Sequence, residues 1–249
     1  MAALVRAELL KILSTRLYIW LALGLAGLVI LGVAGSAYAA GQQGTAPLDT
    51  PEGVRSLFQA ASSGTPFALV LGIVGMSGEW RHRTATSTFL AEPRRGRVVA
   101  AKLLAYALIG LVYAVLAIAA TVVAALIALS IKNVDARVTD QGVPSVLLGA
   151  GLATAIYGVV GVGYGALVRN QVAAIVTALV WSSVVDSLLV ELVPAIGKWT
   201  PGGAAQSLTS YQVDGMELLP IWGGAVLLTA YGVAFALAGV QLTVSRDIT

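Results

Sequence analysis

The chain contains no cysteine and a single histidine, His82, and only 11% of its 249 residues are charged. Without cysteine there are no disulfides, no thiolate metal sites and no cysteine nucleophiles. One histidine leaves no histidine-rich metal centre and few proton-relay schemes. Soluble domains carry about 25% charged residues. Here the charge is less than half that and 58% of residues are hydrophobic, too much apolar surface for a soluble fold to cover. Disorder is excluded too, because it needs low hydrophobicity and high net charge, whereas the net charge is +3 and the mean hydropathy +0.88. Such a composition describes a polytopic membrane protein.

A helix needs roughly 20 apolar residues to cross about 30 Å of hydrocarbon. Six stretches qualify, at about 17–40, 62–78, 98–130, 144–168, 171–190 and 219–243. They predict an all-α integral membrane protein with one domain over residues 1–249. Ser62, Ser63, Thr65 and Pro66 dilute the start of the second stretch. The third, at roughly 50 Å of helical rise, is long enough for one end to protrude. The first follows Arg6, Lys11 and Arg16, and Ala37-Tyr38-Ala39 imitates a signal-peptidase site. A cleavable signal has an apolar core of about 7–15 residues, so the longer run here reads as a retained span.

Six spans put both termini on one side. With that side and the 79–97 and 169–170 loops assigned to the cytoplasm, 11 of the 15 Lys and Arg residues lie inside. Arg55, Lys132, Arg137 and Lys198 lie outside, together with most of the acids. That asymmetry is the positive-inside pattern. The expected location is the plasma membrane, with cytoplasmic termini. Ahead of the first span, residues 1–16 read as an amphipathic N-terminal helix in the cytoplasmic headgroup layer. Val5, Leu9, Ile12, Leu13 and Leu17 form its apolar stripe, and Arg6, Lys11, Ser14 and Thr15 occupy other positions.

The densest polar stretch is the cytoplasmic loop from Gly78 to Arg97. It holds no nucleophile–base pair, no apolar acid pair and no phosphate-cradling glycine loop. It offers a short helix-capable piece ended by Pro93, with a basic cluster behind it. Such an element suits docking, through which another protein would move the membrane helices.

Three blocks along the chain form a recognisable series. The first is Glu79-x-Arg81-x-Arg83-Thr84, then Leu90-Ala91-x-Pro93-x-Arg95 and Ala101-Lys102-Leu103-Leu104. The second is Gly165-Ala166-Leu167-Val168-Arg169-Asn170-Gln171 with Ala173-Ala174, and the third Thr200-Pro201-Gly202-Gly203-Ala204. Together they resemble the permease subunits of type-2 ABC exporters, especially actinobacterial ones, over essentially the whole chain. The resemblance implies a coupling helix within 79–97, seated on an ATP-binding subunit, and a re-entrant outer segment at 191–218 between spans five and six. The latter is sparsely charged and broken by Pro194, Gly197, Pro201, Gly202 and Gly203. It also implies that Glu79, Trp80, Arg81, Arg83, Thr84, Thr88, Arg94 and Arg95 face the ATPase. Arginines would bridge to its acidic groups, and Glu79 could hold its own loop through Arg83 at i+4.

No Walker A sequence is present; the nearest approach, Gly197-Lys198, continues with Trp199. The chain is therefore read as a non-catalytic permease without a cofactor of its own, with ATP and magnesium on the partner. Two ATPase copies and a second permease, identical or paralogous, would complete the complex in the lipid bilayer. Nothing points to nucleic acid.

Asp186 is the one acid well inside a span, where a central Asp costs roughly 2.5–3.5 kcal/mol. It sits roughly 21 Å from the inner end by helical rise, which favours snorkelling or a wet outer cavity over an ion site. With Trp181, Ser182 and Ser183 it forms an expected pathway-lining patch. Val162-Gly163-Tyr164-Gly165 imitates a potassium-channel filter but lacks the preceding threonine. The expected substrate is amphipathic: a drug, antibiotic, lipid or peptide. The competing reading is an ion- or proton-coupled secondary transporter, although the chain shows no midplane charge cluster.

Overall fold

The structure, a computed structural model, describes residues 1–42, 44–81, 92, 94–134, 142–168, 170–209 and 218–246. Among the described residues every regular element is helical. Six helices are long and apolar enough to cross a membrane: span one, Leu17–Ala39; span two, Pro51–Glu79; span three, Gly96–Ile131; span four, Val143–Leu167; span five, Gln171–Leu192; and span six, Ile221–Gly239.

Span two starts about two turns of α-helix and half of a 3₁₀ segment earlier than hydropathy suggests. Thr50 caps it, accepting the Gly53 N–H at 3.2 Å, and Pro51 takes the first turn, where a missing N–H costs nothing. A helix over Pro51–Phe58 buries Val54, Leu57 and Phe58 against spans one, three and four. A 3₁₀ segment, Gln59–Gly64, then leads into the helix Thr65–Arg81. The polar stretch that dilutes the hydropathy is thus an internal join. Pro66 has no N–H to offer the Ser62 carbonyl, and the Thr65 hydroxyl donates to that oxygen at 2.9 Å instead. The exposed Glu52–Arg55 pair, 3.7 Å apart, lowers the mean hydropathy of the first part and conceals it.

Span three belongs to one unbroken helix of 37 residues, Arg95–Ile131. At about 55 Å it is far longer than a hydrocarbon core is thick. Span four is the hub. It packs against spans two, three and six, and 72% of its apolar window is buried, against 17% for span one and 22% for span six. Glycines make this contact possible. A Cβ on Gly158 would come within 2.6 Å of the Tyr106 carbonyl oxygen, and Cβ atoms on Gly161 and Gly163 would fall on the Leu69 and Gly232 carbonyls. The filter-like Val162–Gly165 stretch is therefore a packing seam, with Val162 fully buried and Gly163 against the backbone of span six.

The N-terminal helix, Ala2–Leu13, lies against the bundle through Val5, Leu9 and Ile12, as the stripe predicts. Leu13 does not join them; it is exposed, as is Leu10. Glu8 occupies the buried face instead. Span five is interrupted. An α-helix over Gln171–Val180 passes through a π turn, Trp181–Val185, into a second α segment, Asp186–Leu192. Two short helices, Pro194–Gly197 and Pro201–Thr209, follow, and the second packs against spans four and six.

Candidate functional site

Among the described residues, two places in the bundle gather polar chemistry, one where three helices converge and one at the break in span five. The first lies where the N-terminal helix, the end of span two and the start of span three converge. Glu8 replaces an apolar residue on the stripe of Val5, Leu9 and Ile12. Glu79 ends span two. Lys102 lies in the second turn of the span-three helix and is only 1% exposed. Its Nζ is 2.5 Å from Glu8 Oε2 and 2.9 Å from Glu79 Oε1, and it donates to the Gly75 carbonyl at 3.3 Å. Lys11 closes the cluster from the outer side, 2.7 Å from Glu8 Oε1 and 2.9 Å from Glu79 Oε1.

Two carboxylates and two ammonium groups cancel, the condition under which buried charges survive. Burial works against the charge of Lys11, but its hydrogen bonds to Glu8 and Glu79, with their negative charges, outweigh this and raise its pKa above the ordinary value. Three chain segments separated by up to 94 positions are thereby tied at one point.

The described partners of Glu79 are Lys11 and Lys102. The pairing with Arg83 expected within the loop lies outside the described residues, as do Arg83, Thr84 and Thr88 themselves. Trp80 and Arg81 are the last two residues of the helix Thr65–Arg81, and Arg81 is exposed. Arg94 is an exposed N-cap and Arg95 the first residue of the span-three helix. Beside them Arg97 holds Glu92 at 3.2 Å. Glu8 and Lys102 were not among the expected site residues. The signal was present: each is a charge at an apolar-periodic position, one on the N-terminal stripe and one inside the run Val98–Leu104.

The second place is a cavity of about 390 Å³ bounded by spans two, four, five and six and by the start of the helix Pro201–Thr209. Asp186 lines it and is only 2% exposed. Snorkelling is therefore ruled out; the side chain turns inward. The π turn explains why. The Asp186 N–H bonds to the Trp181 carbonyl, which stacks Trp181, Ser182 and Asp186 along the cavity. Ser183 is rotated to the exposed side and does not line it, contrary to expectation.

Asp186 Oδ2 accepts the Gly202 N–H at 3.0 Å, at the amide end of the helix Pro201–Thr209. A carboxylate is favoured there by the helix dipole. Gly202 permits the approach, since a Cβ at that position would sit 2.8 Å from the carboxylate carbon. Thr200 caps the same helix, accepting the Gly203 N–H at 3.2 Å while donating to the Gly197 carbonyl at 2.8 Å. Among the described residues, nothing donates a hydrogen bond to the buried Oδ1.

Aromatic rings form much of the remaining wall. Tyr164 meets Phe235 edge-on with centroids 5.7 Å apart, and Tyr231 lies 5.9 Å from Phe235. The Tyr231 hydroxyl donates to the Trp199 carbonyl at 2.9 Å, and Tyr164 shares a 2.9 Å hydrogen bond with Thr177. A larger groove of about 650 Å³ between spans one and three is lined almost wholly by aliphatic side chains, with only Tyr38 and Lys132 carrying polar groups. It lacks the convergent polar groups that orient a ligand. No protein-family model matches the chain, and no curated protein matches it.

Proposed function

We propose that this chain is the membrane-spanning permease of an ATP-driven exporter of the type-2 ABC class, forming half of a translocation pathway and powered by a separate ATPase subunit. The observation that carries the reading is the buried cluster of Glu8, Lys11, Glu79 and Lys102. Spans two and three flank the 79–97 loop, and the cluster clamps both to the N-terminal helix at the loop's base. A push on the loop would reach all three elements as one body, which is what mechanical coupling to a partner requires. The resemblance of the three sequence blocks supports the same reading. In it, the loop carries the coupling helix, the segment 191–218 re-enters from the outer side, the termini are cytoplasmic and the membrane is the plasma membrane. Nucleotide-driven closure of the ATPase pair would tilt the spans between inward- and outward-facing arrangements.

The test is purification of the tagged chain from its native host in mild detergent. An ATP-binding subunit is expected at near one-to-one stoichiometry, and it should be lost when residues 81–84 are replaced. Glu79→Ala and Arg83→Ala should each lower stimulated ATPase activity and transport while membrane insertion persists. Unchanged coupled activity in both would refute the coupling assignment. A second reading, an ion- or proton-coupled secondary transporter, draws on the buried carboxylate of Asp186. A clean homo-oligomer that captures no ATPase, with transport abolished by ionophores rather than by ATP depletion, would favour it.

A further inference from the structure

The Asp186 cavity combines an unbalanced charge with an aromatic wall, and the two together define a ligand. Among the described residues its lining contains no lysine, arginine or histidine. The carboxylate keeps one oxygen on the Gly202 amide and the other without a described hydrogen-bond partner. Neutral dipoles alone therefore offset this negative charge, and a buried carboxylate in that position favours a counter-cation. A second copy of the clamp chemistry at Lys102 would have been the simple solution, and the chain does not use it here.

We propose that this cavity binds a lipophilic organic cation, a protonated amine or quaternary onium group carried on an apolar body. Four features agree on that class. The negative potential comes from Asp186. The π faces of Trp181, Tyr164, Tyr231 and Phe235 attract cations that are too large and weakly hydrated to demand oxygen ligands. A hard metal ion would need about six oxygens, whereas the described lining offers one carboxylate among aromatic and aliphatic side chains and a few hydroxyls. The volume of about 390 Å³ falls within the roughly 300–1,000 Å³ range of small-molecule sites. Trp181 and Thr177 are exposed on the flank of span five, which gives an amphiphile dissolved in the bilayer a lateral way in.

The binding claim stands on the cavity alone; only the step from binding to export rests on the permease reading. The experiment is equilibrium dialysis of the purified full-length chain in detergent against radiolabelled tetraphenylphosphonium, with uncharged triphenylphosphine oxide as the control. The wild type is expected to bind tetraphenylphosphonium saturably and triphenylphosphine oxide at least tenfold more weakly. Asp186→Asn should weaken the cation at least tenfold and leave the neutral probe unchanged. Trp181→Leu, which keeps the Asp186 carboxyl and the Gly202 N–H that donates to it, should weaken the cation while the melting temperature holds, which covers the case in which Asp186→Asn fails to fold. Equal affinity for the two probes, or cation binding that neither variant alters, overturns the proposal. Saturable sodium binding, with the onium ion itself not bound, overturns it in favour of a metal ion. Charge-selective binding in a chain that captures no ATPase would leave this proposal standing and remove only the permease reading.

Discussion

Replacing Lys102 by methionine tests whether the buried cluster holds the cytoplasmic end together. Lys102 is 1% exposed and contacts both Glu8 and Glu79, which are themselves 5% and 8% exposed. Methionine fills a similar volume but removes the only fully buried positive charge in the cluster, leaving two carboxylates with half-exposed Lys11. Removing one member of a buried ion group costs about 3–5 kcal/mol, because the remaining charge is left uncompensated. At about 2–4 °C per kcal/mol for a chain of this size, the melting temperature should fall by about 6–20 °C. Amide exchange should localise the damage: the N-terminal helix, Ala2–Leu13, should lose protection before the span-four core does. The double variant Lys102→Met/Glu8→Gln restores neutrality with Glu79 facing Lys11, and should regain most of the loss. Thermal unfolding in detergent with exchange mass spectrometry reads both. A shift of less than about 2 °C in Lys102→Met, or a double variant no better than the single one, refutes the argument.

Two other predictions rest on particular side chains. The folded-state pKa of Lys11 is raised above 10.5, so its contribution is complete below that value and is lost as pH rises through the folded pKa. Amide protection of the N-terminal helix should therefore be flat from neutrality to about pH 10 and fall only beyond it, as followed by exchange at stepped pH; a Lys11-dependent loss near pH 8 contradicts this. Among the glycines, Gly158→Ala pushes a Cβ to 2.6 Å from the Tyr106 carbonyl and should cost about 1–3 kcal/mol, whereas Gly27→Ala meets nothing within 4 Å and should be neutral or slightly stabilising in the same melts. Equal melting temperatures for the two variants would show that the span-three/span-four seam has room to relax.

The sequence by itself determined the solvent. Sparse charge and six apolar runs require a helical bundle in a bilayer, because only helices satisfy their own backbone groups there, and the ends of five spans follow from the same hydropathy. The N-terminal stripe was legible because three of its residues obey helical periodicity. The start of span two was not, since averaging over Glu52, Arg55 and the Ser/Thr/Pro join hides a segment whose Val54, Leu57 and Phe58 are fully buried. Asp186 stood out as a lone intramembrane acid, yet its inward direction is set by packing around a π turn that no sequence period shows. The clamp was hidden for a further reason. Glu8, Lys11, Glu79 and Lys102 are four charges on three helices, and at each position a charge carries only a penalty in one dimension. Their pairing spans up to 94 residues, and it forms only when packing brings the three buried charges and half-exposed Lys11 to one point. Composition therefore fixed where the chain resides, and tertiary packing decided which of its few charges meet.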